Sequence, residues 1–261
     1  MTAPIEYLAF GGGAPSLALA ILNAWGEITP RAELIIFADT GAEQTKTMEL
    51  LPLYESWFAE NGLEMVVAKS KDGPLDDYVR ERSLPIPVFT PGGMGQRQCT
   101  DKWKIRVCRD EIKKRYGRNI PMVAQLGLTY DEVHRVKDAK VKRDRNRWPL
   151  IEKRLKRDAC DEIVKMAGLP VPPRSACYMC PLRSNHGWKV IAAQAPADFD
   201  KAVEIDELIR ERSMATRGTP VYLSDHRKAL RRLYSTAQAS MFTADDPTGD
   251  IEACEPGYCH T

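Results

Sequence analysis

The sequence predicts an α/β protein: a parallel twisted sheet with helices on both faces, followed by a mainly helical, cysteine-containing lobe. Three observations carry this. Short, continuous apolar runs recur at residues 6–10, 32–38, 63–69 and 122–128, the pattern of strands covered on both faces. Helical stretches separate them, which in a chain of alternating strands and helices implies right-handed parallel crossovers. Finally, three of the runs end in glycine or small polar residues, at Gly11, at Asp39-Thr40-Gly41 and at Gly127.

The first strand, EYLAF, leads through Gly11-Gly12-Gly13 into the apolar helix SLALAILNAWG. The second, AELIIFA, precedes an amphipathic helix over 45–61 that Gly62 stops. LEMVVAK is the third strand, and a short helix follows over 76–82. Residues 83–98 hold several Pro and Gly and read as loop. A helix over 100–116 leads to the fourth strand, MVAQLGL. Beyond a basic stretch come a helix over 158–167, a proline-rich loop, a CxxC segment and one or two helices within 185–214. The division expected is a nucleotide-binding α/β domain over 1–150 and a helical region with its tail over 151–261.

The chain of 261 residues is long enough for a sizeable core, and 43% apolar and 28% charged residues are ordinary for a globular protein. No apolar run reaches membrane-spanning length and the N-terminus lacks signal-peptide character, so a cytoplasmic protein without membrane contact is expected. The net charge of +2 hides an asymmetry, with eleven Lys/Arg against three acids between Arg135 and Arg157. That stretch is either a docking surface for a nucleic acid or other phosphate-rich substrate, or a solvated loop.

The glycine run lies where ligands bind in open α/β sheets, at the carboxyl ends of the strands. Consecutive glycines turn backbone N–H groups toward an anion, and the next helix adds its N-terminal dipole. Gly11, Gly12, Gly13 and Ser16 are therefore candidate phosphate ligands, although the run matches neither a Walker loop nor a dinucleotide fingerprint. Asp39 could hold a ribose hydroxyl or Mg²⁺, or simply cap a turn. Gly127 marks a point where a side chain would obstruct a close ligand.

The seven cysteines are Cys99, Cys108, Cys160, Cys177, Cys180, Cys254 and Cys259. An odd number without a signal peptide argues for metal binding or thiol chemistry rather than a disulfide framework. Cys177-x-x-Cys180 has metal-ligand spacing and ends in Pro181. Cys108 falls inside the helix and reads as core. Trp103 is expected to pack against its helix, and Trp148-Pro149-Leu150 to anchor the basic loop.

Taken in order, these segments resemble the phosphoadenosine phosphosulfate reductase family of the PP-loop adenine nucleotide α-hydrolase superfamily. FGGGAPS resembles the PP-loop, FADTGAEQTKT the DTG segment, QRQCTDKWKIRVCRDEI the cysteine-plus-basic segment, GLTYDEVHR the glycine-led strand end, and SACYMCP the CxxC of cluster-bearing members. The resemblance covers roughly residues 5–185. It implies ATP or an adenylyl-sulfate-type nucleotide bound by Gly11, Gly12, Gly13, Ser16, Phe37, Asp39, Thr40, Gly41, Arg97, Lys104 and Gly127. It further implies Asp39, Lys102, Arg135 and Cys259 as catalytic residues. Cys99, Cys160, Cys177 and Cys180 would bind a [4Fe–4S] cluster, with zinc as the alternative.

The loop departs from the family pattern: Gly11 replaces its leading Ser, and Ala14-Pro15 replace the residues that normally supply an Asp. Three readings follow. The chain is a sulfur-transfer enzyme acting on a nucleic acid or nucleotide with an external sulfur donor; or a reductase using thioredoxin and the C-terminal Cys259; or a non-catalytic nucleotide-binding regulatory module with structural zinc. The oligomeric state stays open, a dimer being allowed.

Overall fold

The computed structural model describes residues 3–139 and 141–234. Cys254 and Cys259, and with them the predicted tail nucleophile, lie outside the described residues.

Five parallel strands form the sheet: β1 (Ile5–Phe10), β2 (Leu34–Asp39), β3 (Met65–Lys69), β6 (Met122–Leu126) and β7 (Arg145–Arg147), in the order β3-β2-β1-β6-β7. Strand periodicity splits each buried run between two cores. Leu8, Phe10, Ile35 and Phe37 point to one face, where α1 (Ala14–Ala24), α2 (Thr45–Glu60) and α6 (Arg157–Met166) cover them. Tyr7, Ala9, Leu34 and Ile36 point to the other, against α4 (Arg106–Tyr116). This is the doubly covered parallel sheet the apolar runs require.

A third core joins α3 (Leu75–Glu81) and Trp103 to the CxxC segment, α7 (Asn185–Gln194), α8 (Pro196–Arg217) and α9 (Leu230–Leu233). The short pair β4 (Phe89–Thr90) and β5 (Gly93–Met94) sits within the loop of residues 83–98, and α5 (Pro149–Glu152) begins right after Trp148.

Two features differ from expectation. The helix predicted over 100–116 starts as a π-helical turn, Asp101–Ile105, before α4. The basic stretch contains β7, whose Asn146 pairs with Ala124 at the sheet edge. Three polar residues carry no apolar signal, so periodicity could not reveal that strand. Much of the basic stretch is also tied inward. Arg147 binds Glu6 and Glu152 and donates to the carbonyls of Thr29 and Pro30. Glu6 accepts in turn from buried Gln125, which accepts from Asn23. Arg135 is buried against Glu132.

Candidate functional site at the carboxyl rim

The strand order reverses between β1 and β6, the position where open α/β sheets form a ligand crevice. Here Gly127 closes that point: a Cβ on it would stand 2.7 Å from Ser16 N and 2.8 Å from Ser16 Cα. The glycine is required by the first turn of α1 itself. The open space lies one strand over, at the carboxyl ends of β1 and β2.

Gly12 and Gly13 are buried, and Gly12 takes φ +73° with Thr47 so close that a Cβ would meet its Cγ2 at 2.7 Å. Ser16 Oγ accepts from Gly11 N at 3.3 Å and donates to Gly13 O at 3.0 Å, closing the loop on itself. Gly11 alone of the three glycines lines the adjoining cavity, together with Phe37, Glu43, Lys104 and Cys108. Burial pushes the Cys108 thiol up to about 12, so this cysteine is an inert wall.

A second cavity, lined by Thr40, Arg97, Cys99, Lys104, Cys177 and Cys180, shares Lys104 with the first. The π turn accounts for this. Its wider winding sends Trp103 into the core, where Nε1 donates to Gly73 O, and leaves Lys104 on the rim. Lys102 goes elsewhere: its Nζ lies 5.4 Å from the Tyr78 ring centroid, in a separate crevice with Lys69 and Lys71.

The β2–α2 loop ties the two cavities together. Thr40 Oγ1 donates to Glu43 Oε1 at 2.8 Å and sits 3.5 Å from Cys177 Sγ. Glu43 forms a β-bridge with Cys177, and Gln44 Nε2 donates to the carbonyls of Arg174 and Ala176. Asp198 of α8 caps α2 by accepting from Thr45 N at 2.8 Å and Thr45 Oγ1 at 2.6 Å. Gly41, at φ +74°, leaves no room for a Cβ beside Pro74. Asp39 is turned away, its Oδ1 accepting from Gly41 N and its Oδ2 3.5 Å from Lys69. Glu43 is thus the carboxylate that meets the cavity, and sequence reading missed it. The only signal was a second acid in FADTGAEQT, beyond a glycine that reverses the chain.

The four predicted thiols do not assemble. Cys99, Cys177 and Cys180 line one cavity, whereas Cys160 is fully buried among Leu and Val side chains in the core beneath α1. Among the described residues no three His, Cys, Asp or Glu side chains gather closely enough to hold a metal ion. Cys160 therefore stands apart from the other three thiols, and the four predicted ligands are not gathered as these side chains are placed.

Arg183, also missed, is buried behind the CxxC. Its Nη2 donates to Cys177 O at 3.1 Å and its guanidinium lies 5.3 Å from the Trp188 ring. Among the described residues it has no carboxylate at ion-pair distance. Burial lowers its pKa, and the fields of Cys180, Cys177 and then Asp198 oppose that shift. Its charge favours anionic sulfur in the adjoining pair. Arg135 keeps its ion pair with Glu132, and Glu132 also accepts from Thr129 at the start of the turn after β6.

Fold and site define a class: an open parallel α/β protein with a cationic, cysteine-lined rim at its strand carboxyl ends. No family model matches the chain, and no curated protein matches it. Among solved structures it is similar to a phosphoadenylyl-sulfate reductase from Candida auris in a phosphate complex, at 13% identity and a TM-score of 0.46, covering 66% of this chain and 76% of that one. Among the described residues no helix is long and apolar enough to cross a membrane.

Proposed function

We propose that this chain is an adenine-nucleotide-binding enzyme that transfers sulfur to a nucleotide or nucleic-acid acceptor. One observation carries the reading: two cavities at one rim share Lys104, the first lined by Gly11, Phe37 and Glu43, the second by three thiols. A phosphate chain along the first would meet the Lys104 ammonium, with Arg97 beyond it. Glu43 takes the Mg²⁺-holding role that Asp39 had in the sequence reading.

In this scheme an acceptor oxygen attacks the α-phosphorus. A new P–O bond forms as the bond to pyrophosphate breaks, and Lys104 offsets the charge that develops. A hydrosulfide ion from an external donor, bound at the thiol cavity, then displaces AMP, forming a C–S bond as the C–O bond breaks. Arg183 stabilises anionic sulfur there, and the apolar walls exclude water. No step is assigned to an iron–sulfur or zinc centre.

Calorimetric titration with ATP tests the binding step. Lys104→Ala is expected to weaken binding by roughly 10- to 100-fold, the value of one charge-assisted phosphate contact. Lys102→Ala should leave it within about twofold. Equal losses in both variants, or no ATP binding at millimolar concentration, would sink the assignment. Pyrophosphate release with candidate acceptors then separates this reading from a reductase, which would release sulfite from adenylyl sulfate instead.

A further inference from the structure

Beyond β6, Gly127 packs on Ser16 of the glycine loop, and the chain then turns over Tyr130–Arg135 as a 3-10 helix. This turn is pinned in place. Thr129 Oγ1 donates to Glu132 Oε2 at 3.0 Å, and Glu132 also holds buried Arg135. Tyr130 N donates to Leu155 O at 2.7 Å. Two large side chains on the turn nevertheless stand in water, Tyr130 at 42% and Val133 at 52% exposure, one turn apart. Among the described residues the other ring exposed to this degree is Trp25, at the far end of α1 from the glycine loop. Leu155 packs against the core beneath α1, so its neighbours Arg154 and Lys156 turn outward on either side of the hydrogen bond to Tyr130. Neither has an ion pair among the described residues, whereas Lys153 is held by Glu27. Arg154 takes φ +55° just past the end of α5, where glycine is the favoured residue. The exposed acids nearby are Asp131 and Asp158, and Asp158 Oδ1 already accepts from Ala159 N.

We propose that this surface binds a single-stranded nucleic acid, with one unpaired base against Tyr130 and Val133 and the flanking phosphates on Arg154 and Lys156. A ring in water beside two unpaired cations matches that partner in both parts, since a base has an apolar face and its backbone is anionic. A protein partner would call for a wider apolar patch than two side chains. A duplex keeps its base faces inside the stack, so an exposed ring selects an unpaired base. The position suits an acceptor as well, because the Gly127–Ser16 contact sets this turn directly beside the glycine loop. The inference deepens the rim reading by choosing nucleic acid over a free nucleotide as the acceptor. It rests on that reading for the chemistry, while strand binding itself is measured without it.

The test is fluorescence anisotropy of the full chain, without ATP, on labelled single strands of about 12 nucleotides and their duplexes. Single strands are expected to bind at least about tenfold more tightly than duplexes. DNA and RNA strands of one sequence are compared, and the tighter identifies the source. Tyr130→Ala should weaken binding by roughly 5- to 100-fold, while Tyr130→Phe, which keeps the ring, should stay within about twofold. Arg154→Gly suits the left-handed backbone and should keep the wild-type urea midpoint, yet weaken the strand. Combined with Lys156→Ala it should lower the slope of log affinity against log salt by about 1.4, from two phosphates at about 0.7 each. Tyr130→Ala should leave that slope unchanged. Lys114→Ala, an exposed cation of α4 on the other side of the sheet, is the control and should stay within about twofold. Equal affinity for single strand and duplex, no loss in Tyr130→Ala, or an unaltered salt slope in the double variant would overturn the inference. A chain that binds ATP and no strand keeps the rim reading, with a free nucleotide as acceptor, and refutes this surface. One that binds the strand and no ATP does the reverse.

Discussion

Gly127→Ala tests the contact on which the rim depends. Its added Cβ would lie 2.7 Å from Ser16 N, 2.8 Å from Ser16 Cα and 3.1 Å from Pro15 C. All three are backbone atoms, so no flexible side chain can move aside. Ser16 is itself fixed by its hydrogen bonds to Gly11 and Gly13. Relief therefore requires β6 and the first turn of α1 to separate by several tenths of an ångström inside a packed core. Overpacking of this kind costs about 2–3 kcal/mol. For a chain of this size that corresponds to a fall in Tm of about 4–12 °C. Urea denaturation monitored by tryptophan fluorescence gives the stability change, and Gly92→Ala is the control. At Gly92 a new Cβ would find only Thr90 Oγ1, at 3.8 Å, and the cost should stay within about 0.5 kcal/mol. A Gly127→Ala variant as stable as Gly92→Ala would refute the claim that this glycine serves the β6–α1 contact.

Arg147→Ala should cost about 2–3 kcal/mol in urea denaturation, because it strips Glu6 of a charge partner and two loop carbonyls of their donors; Arg145→Ala should cost under about 0.5 kcal/mol. Asp198→Ala should cost about 1–3 kcal/mol by uncapping α2, and a cost no larger than that of Lys201→Ala would contradict the capping role. Iodoacetamide at pH 8, read by peptide mass spectrometry, should label half-exposed Cys99 first and leave Cys108 and Cys160 unmodified. With its thiol held up to about 12, Cys108 is roughly one part in ten thousand thiolate at pH 8, and its labelling should rise only as the pH climbs toward that value. Labelling of Cys108 as fast as Cys99 would show that the helix face is open.

Four of the five sheet strands were legible because each is a largely apolar run; β1, β2 and β6 are covered on both faces, while edge strand β3 leaves Val67 exposed. β7 was not, since its residues are Arg, Asn and Arg, and pairing with β6 rather than composition makes it a strand. The site was legible in its neighbourhoods and not in its side chains. The DTG turn identified the rim, but it took the +74° turn at Gly41 to bring Glu43 back while Asp39 stayed with Lys69. The KWK segment was recognised as cationic, yet π winding gave the rim to Lys104 and a different crevice to Lys102. Cys160 was expected to be a ligand from the family resemblance alone. Which way a helix turns its cysteine is set by packing, and α6 turns Cys160 into the core.

The hydrogen bonding of the β2–α2 loop bears on how nucleotide and sulfur chemistry would be coupled. Thr40, Glu43, Gln44 and Thr45 are successive contacts to the CxxC segment or α8, and none is a surface contact of the kind that exchanges cheaply with water. Glu43 carries both sides at once, with its carboxylate on the Lys104 cavity and its backbone bridged to Cys177. A ligand that draws the Glu43 carboxylate toward a phosphate or a cation must break or bend its bond from Thr40 Oγ1. Thr40 Oγ1 is also the hydroxyl beside Cys177 Sγ, so its hydrogen-bonding state changes with it. Under the proposed function, a ligand in the Lys104 cavity would therefore alter the polarity around one specific sulfur through two hydrogen bonds, with no domain movement required.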